Sequence, residues 1–399
     1  MFSTVASRLH GETNPLYSLR DEFTRTGHPI LDLTSGNVTE HGIVFPPPLL
    51  REILVEAASR CTVYQPDSFG QRPAREAVSG YYAEQGISIP PEQVLLTPGT
   101  SLSYWYAFKL LADEGDEILC PRPSYPLFDY IAALSGASLI PYPLDEERNW
   151  AIDLEKLENC ISTRTRALVV ISPHNPTGRV ATSGELSALA DLAQRHDLAI
   201  LFDEVFSEFL LRPGILPRPA GGSAPLVLTL NGFSKMYALP GMKFGWMAVT
   251  GEPGRVRRAL RALEMISDTF LPVNEVVQAA APEIFTRGRD FLGTYKEEIC
   301  ARWRIVRECV DGSRHCRHSR PDGGFYVTLR IGRDEEAAAE DILRATRMLV
   351  HPGHFYDIAP NHLVLSFVLE RELLRDTFPR ILQLLGETRT AERDPAGGW

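Results

Sequence analysis

The most distinctive chemistry surrounds Lys235, in the run Asn231-Gly232-Phe233-Ser234-Lys235-Met236-Tyr237-Ala238-Leu239-Pro240-Gly241-Met242-Lys243-Phe244-Gly245-Trp246. A lysine set between a serine and an apolar stretch, with a Pro-Gly turn and a second cation (Lys243) after it, suits an amine that condenses with an aldehyde beside a bound phosphate. Taken alone, the run also fits a surface loop carrying a solvated lysine.

Four further segments bear on that choice. Leu95-Leu96-Thr97-Pro98-Gly99-Thr100-Ser101 joins an apolar strand to a helical pattern beginning at Leu102. A glycine turn with two hydroxyl residues leaves backbone N–H groups free at a helix start, where they can hold a phosphate; an ordinary N-cap by Thr100 or Ser101 is the alternative. In Cys120-Pro121-Arg122-Pro123-Ser124-Tyr125-Pro126-Leu127-Phe128, prolines on either side hold Tyr125 on a stiff loop. Its ring suits stacking on a flat ligand, or packing as a core tyrosine. Asn175-Pro176-Thr177-Gly178 follows the β-branched run Val169-Val170-Ile171 and consists of turn formers. Asp203 ends the apolar run 198–202, at the strand end where open α/β sheets bind ligands. A carboxylate buried there needs a cation, such as a protonated pyridine nitrogen. Glu204 is a structural neighbour on this reading, and His174 a loop residue with no role.

Together and in this order, the segments resemble the class I/II aminotransferase family of fold-type I pyridoxal phosphate enzymes, over residues 33–385. The resemblance implies that Lys235 tethers pyridoxal 5'-phosphate as a Schiff base and serves as general base. It assigns Gly99, Thr100, Ser101, Ser234 and Lys243 to the phosphate, Tyr125 to the ring face, Asp203 to the ring nitrogen and Asn175 to the ring oxygen and the substrate carboxylate. Gly36, in Leu33-Thr34-Ser35-Gly36-Asn37, matches a glycine whose backbone faces the substrate. Tyr64, in Tyr64-Gln65-Pro66-Asp67-Ser68-Phe69-Gly70, matches a tyrosine that reaches the neighbouring subunit's phosphate in a homodimer; packing within its own subunit is the alternative. The implied reaction moves an amino group from a small-molecule donor, an amino acid or amine, to a 2-oxo acid, with no metal.

Three positions depart from the family pattern. Phe206 stands where many relatives carry a tyrosine on the ring oxygen, and Lys243 replaces a phosphate-binding arginine. Val364, in His362-Leu363-Val364-Leu365-Ser366-Phe367, occupies the place of the arginine that grips the substrate carboxylate. The cofactor apparatus is nearly complete and the substrate apparatus is not. Two other classes therefore stay open: a lyase, decarboxylase or racemase on the same scaffold, and a non-catalytic pyridoxal phosphate-binding protein. Against the last stand the joint presence of Lys235, Asp203 and Asn175 and the lack of a flanking DNA-binding module.

The elements that must position these residues follow from periodicity. Apolar strand-like runs at 94–97, 117–120, 167–171, 199–202, 226–230 and 244–249 alternate with helical patterns, which predicts parallel strands with crossover helices in an open α/β sheet. By resemblance this is a mainly parallel seven-stranded sheet in a large domain, residues 49–285. After a helical stretch at 283–317 the alternation ends, which suggests a smaller α+β domain, residues 286–385, joined by an N-terminal arm, residues 1–48. Residues 386–399 are polar and expected to be disordered.

Composition narrows the function classes. Of 399 residues, 44% are hydrophobic, ample for two cores, and 41 Lys and Arg against 51 Asp and Glu leave a net charge of −10 without a basic tract, which argues against nucleic-acid binding. No apolar run reaches membrane-spanning length and the N-terminus lacks a signal pattern, so a cytoplasmic protein is expected. Six scattered cysteines without a Cys-x-x-Cys pair argue for reduced thiols and against structural zinc.

Overall fold

The computed structural model describes residues 14–219 and 224–387. The start of the expected N-terminal arm (1–13) and the expected disordered tail from residue 388 onward lie outside the described residues. Gly386, where that tail was expected to begin, is the last residue of the helix Arg371–Gly386.

In chain order the strands begin with β1 (Leu31–Asp32), β2 (Val94–Thr97), β3 (Glu117–Arg122), β4 (Ser138–Asp145), β5 (Ala151–Ile152), β6 (Thr165–Ile171), β7 (Ala199–Asp203), β8 (Leu226–Gly232) and β9 (Gly245–Gly251). They end with β10 (Cys316–His318), β11 (Tyr326–Ile331), β12 (Met348–Leu349), β13 (His351–Pro352) and β14 (His362–Ser366). The large sheet has eight strands, one more than expected, in the order β2-β9-β8-β7-β6-β3-β4-β5. The additional strand is β5, a two-residue edge piece antiparallel to β4. It forms because Asp145 caps a single turn, Glu146–Arg148, that sends the chain back on itself.

Two further differences have physical causes. β4 contains Pro141 and Pro143, which break the apolar pattern; the strand survives next to the sheet edge, where a missing N–H costs little. β9 runs antiparallel to both β2 and β8, whereas simple alternation predicts parallel. Parallel neighbours need a crossover that packs back along the sheet, and the β8–β9 connection instead stays at the strand ends, with only a helix Phe233–Met236 and a turn Pro240–Met242. The stretch 283–317, expected to be helical throughout, divides into the end of the helix Glu275–Arg287, the helix Arg289–Asp311 and β10.

Alternate residues of the central strands feed two layers. Val170 and Ile200 pack with Leu189 and Ala193 of the helix Ser183–His196, while Val169 and Leu201 pack with Tyr104 and Phe108 of the helix Thr100–Leu111. Burial on both faces explains why β7 and β8 are buried along their whole length and read as continuous apolar runs. Beyond the large sheet, β10-β11-β14-β13 form an antiparallel sheet and β1 pairs in parallel with β12. All six cysteines are free thiols, and no helix among the described residues is long and apolar enough to cross a membrane.

Candidate active site

Strand direction gathers the motifs. β3, β6, β7 and β8 are mutually parallel, so Asp203 at the end of β7 and the segments that follow β3, β6 and β8, carrying Tyr125, Asn175 and Lys235, come together at one edge. Gly245, at the start of β9, pairs with both Thr97 and Gly232, which brings the Gly99 turn to the same edge. A cleft of about 630 Å³ opens there, lined by Gly36, Tyr125, Ser234, Lys235, Tyr326 and His351 among others. A larger cavity, about 1120 Å³, is lined by none of the residues singled out in the sequence, so size alone does not locate the site.

Lys235 lies on the helix that opens directly after β8, whose Phe233 and Met236 are anchored in the core. Its amine has no hydrogen-bond or ion-pair partner among the described residues and stands 5.9 Å from the centre of the Phe206 ring. Loss of hydration lowers its pKa below the ordinary lysine value. Gly36 closes on it from the other side. A Cβ added to Gly36 would stand 2.7 Å from the Tyr326 hydroxyl and 3.4 Å from the Lys235 amine, so only a bare backbone fits between them.

Asp203 ends β7 as a buried carboxylate that receives the Val205 N–H at 3.0 Å and the Tyr104 hydroxyl at 2.9 Å. No cation pairs with it among the described residues, and burial pushes its pKa up to about 6 despite those two donors. Tyr104 was missed by sequence reasoning. The available signal was a tyrosine inside an apolar helical pattern, since a buried phenol requires a polar partner. Glu204 turns to the opposite face of the strand. There it is buried against Arg218, the Tyr82 hydroxyl at 2.9 Å and the Asn231 amide at 3.2 Å, a lattice that braces β7 to β8.

The helix Thr100–Leu111 has Gly99, at φ 130°, as its N-cap and no side-chain cap; Thr100 and Ser101 lie inside its first turn, not at the cap position. Its leading N–H groups are therefore available to an anion. The turn and β9 are in close backbone contact, for a Cβ on Gly245 would lie 2.9 Å from Gly99 Cα and 3.1 Å from the Asn231 carbonyl oxygen. Neither neighbour is a flexible side chain that can yield. Gly245→Ala is therefore expected to cost about 1–3 kcal/mol in urea-induced unfolding; an unchanged midpoint would show that the two segments separate freely.

Asn175 has a buried Oδ1 with no partner among the described residues. His174 beside it is buried, with Nδ1 2.9 Å from the Thr177 hydroxyl and a pKa lowered by burial to about 3, so it stays neutral within its loop. Ser234 and the exposed Tyr125 line the cleft. Gly99, Thr100, Ser101, Asn175, Asp203, Lys243 and Tyr64 are not among its lining residues. Lys243 is exposed, in a left-handed conformation at φ 50°, and Tyr64 is 69% exposed. Phe206 packs on Phe325 at 4.9 Å, and Val364 is buried in β14.

These groups share a pattern of unmet demands: an unpaired desolvated amine, a buried carboxylate without a cation, an orphaned buried amide oxygen and a helix start open to an anion. Pyridoxal phosphate has an aldehyde, a basic ring nitrogen, a ring oxygen and a phosphate, and the residues present fit it.

The family profile described as Aminotransferase class I and II matches residues 28–379. The glutamate-pyruvate aminotransferase of Haemophilus influenzae is 32% identical over 385 residues, covering 91% of this chain and 92% of that one. The arginine–pyruvate transaminase of Pseudomonas aeruginosa is 30% identical over 352 residues, covering 86% and 88%. Among solved structures, the alanine aminotransferase of Pyrococcus furiosus superposes with a TM-score of 0.90 at 23% identity, over 97% of this chain and all of that one, which is a likeness of fold.

Proposed function

This chain belongs to the class I and II aminotransferases, pyridoxal phosphate-dependent transaminases of fold type I, and from that premise we propose how its own residues divide the work. Pyridoxal phosphate, when bound, draws electrons from the substrate Cα and so makes its proton acidic. Lys235 Nζ, its pKa lowered by desolvation, would hold the aldehyde end and, when not so engaged, would be the group to take and return the proton of the substrate Cα. Asp203 supplies the negative charge that keeps the ring nitrogen protonated, and Tyr104 fixes the orientation of that carboxylate. The Gly99 turn with Thr100, Ser101 and Ser234 receives the phosphate, Lys243 adds charge from outside, Tyr125 covers the ring and Asn175 meets the ring oxygen. Gly36 presents its backbone to the substrate.

The single observation that carries this reading is the pairing of an unpartnered, desolvated Lys235 amine with a buried Asp203 carboxylate that lacks a cation, both at one sheet edge. The donor is an amino acid or amine and the acceptor a 2-oxo acid; pyruvate is the first to try, because two of the relatives above are named for it. Mixing the holoenzyme with donor and pyruvate should yield one alanine for each oxo product. Carbon dioxide release or donor racemisation without new alanine would overturn this assignment. We further take the chain to act as a cytosolic homodimer, with large and small domains near the boundaries read from sequence and the exposed Tyr64 reaching the second copy's phosphate.

Val364 bears on substrate choice. An arginine fork on a carboxylate is a bidentate, charge-assisted contact, and valine offers none of it. Simple α-amino acid donors, alanine, aspartate and glutamate alike, are therefore expected to be held weakly, and Val364→Arg should raise kcat/KM for alanine by at least about tenfold, a difference of about 1.4 kcal/mol in transition-state binding. An unchanged kcat/KM for alanine in Val364→Arg would show that another donor grips the carboxylate.

A further inference from the structure

One wall of the cleft is unused by the roles above. His351 on β13 stands directly opposite Val364 in the antiparallel pair with β14, and directly opposed residues project their side chains on the same face of a sheet. Its imidazole lines the cleft and is held at both nitrogens, with the Tyr17 hydroxyl 2.8 Å from Nε2 and the Tyr356 hydroxyl 3.1 Å from Nδ1. Phe355 stacks on Tyr17 and meets the imidazole edge-on at 5.0 Å, so the ring has little freedom to turn away.

Asp32, on β1, is the fixed charge that acts on this wall. Its Oδ1 accepts the Thr34 N–H at 2.7 Å and the Thr34 hydroxyl at 2.6 Å, and no lysine or arginine pairs with it among the described residues. Burial is the main cause of the raised phenol pKa values of Tyr17, Tyr326 and Tyr356, and the Asp32 charge adds to it in each; the same charge works against the burial of His351. Nearby basic side chains are committed elsewhere. Arg20 lies over the Tyr17 ring but is bonded to Asp21, and His354 is tied to Glu335 and Glu336. Burial holds His351 down to about 4, hence neutral at neutral pH.

The wall therefore presents phenol and imidazole groups, with the Asp32 carboxylate behind the lining residue Thr34, and among the described residues no arginine lines the cleft. A neutral imidazole carries one proton, so of its two phenol partners one donates and the other accepts. When Tyr356 donates to Nδ1, its oxygen lone pairs remain for a donor in the cleft. A bound carboxylate would meet like charge there, whereas an ammonium or guanidinium would meet lone pairs, aromatic faces and an uncompensated anion.

We propose that His351, clamped by Tyr17 and Tyr356 in the field of Asp32, is the specificity-determining group of the cleft, and that it selects amino donors bearing a second cation, an amine or guanidinium, over donors bearing a second carboxylate. The proposal rests on the transaminase reading. Its test compares ornithine, alanine and glutamate in the donor half-reaction, read as conversion of the holoenzyme's cofactor to its pyridoxamine form with no 2-oxo acid added, and measures by calorimetry the binding of 1,4-diaminobutane and of succinate to the holoenzyme. Ornithine should exceed glutamate in kcat/KM by a hundredfold or more, and the diamine should bind where succinate does not. Asp32→Asn keeps an oxygen for Thr34 and removes the charge; it should lower the ornithine-to-alanine ratio at least tenfold. Tyr356→Phe, which keeps the ring, should lower the same ratio severalfold, a change that a general loss of folding would not produce. A ratio unmoved in both variants, or succinate binding more tightly than the diamine, overturns the proposal. If no donor reacts, alanine included, while diamine binding persists and is lost in Asp32→Asn, transamination fails and the preference of this wall stands.

Discussion

Lys235→Ala should reduce kcat for amino transfer by roughly a thousandfold or more, the scale of losing a positioned general base together with a covalent anchor. The amine lines the cleft, without a hydrogen-bond or ion-pair partner among the described residues and short of hydration, and alanine leaves no amine there to take the substrate Cα proton. Two measurements separate this role from a structural one. After borohydride reduction the wild-type chain should retain cofactor and the variant should not. Added methylamine, small enough to occupy the vacated space, should restore part of the lost rate in the variant and none in the wild type. A variant that keeps more than a tenth of the wild-type kcat would exclude Lys235 as the base. Lys235→Arg should be nearly as inactive, because a guanidinium does not release its proton near neutral pH.

Asp203→Asn should lower kcat by roughly a hundredfold or more, the amide being unable to hold the ring nitrogen in its protonated form. The same substitution makes an opposite prediction for the apo-protein. The Asp203 carboxyl has a folded-state pKa of about 6 against the usual 3.8, raised chiefly by burial. A group whose pKa is raised by folding favours the folded state fully below the unfolded value, and that contribution is lost as pH climbs through the folded one. Apo wild type should therefore lose up to about 3 kcal/mol of stability from this group as pH rises from about 3 to 7, most of it between pH 4 and pH 6, at 1.36 kcal/mol per unit. Asparagine does not ionise. In urea titrations the apo variant should gain on apo wild type across that window and hold a constant lead above it. Cofactor should reverse the order at pH 7.5, because the ring nitrogen supplies the cation that the carboxylate lacks. Parallel stability curves for the two apo-proteins would show that Asp203 is not a strained acid, and a full kcat in the variant would remove it from the site.

Much of this was legible before any coordinates. The Gly99 turn, the prolines around Tyr125, the turn formers at Asn175, the acid ending an apolar run at Asp203 and the lysine after Ser234 are all local patterns, each set by backbone preferences within a few residues. The apolar runs of β2, β3, β6, β7, β8 and β9 were legible for the same reason, since burial on both faces leaves a continuous hydrophobic stretch. β4 was not, because its two prolines carry a turn signal that only its place near the sheet edge cancels.

What the sequence by itself determined, then, is the family, its cofactor and the set of residue types available for the chemistry. Which of those residues meet was decided by the tertiary structure. The antiparallel direction of β9 sets Gly245 against Gly99; a helix packed on the sheet delivers the Tyr104 hydroxyl to Asp203; and two strands far apart in the chain align His351 with Val364. Periodicity reports whether a side chain faces the core, not which distant side chain faces it. That depends on strand order and register, which are fixed only when the whole sheet pairs.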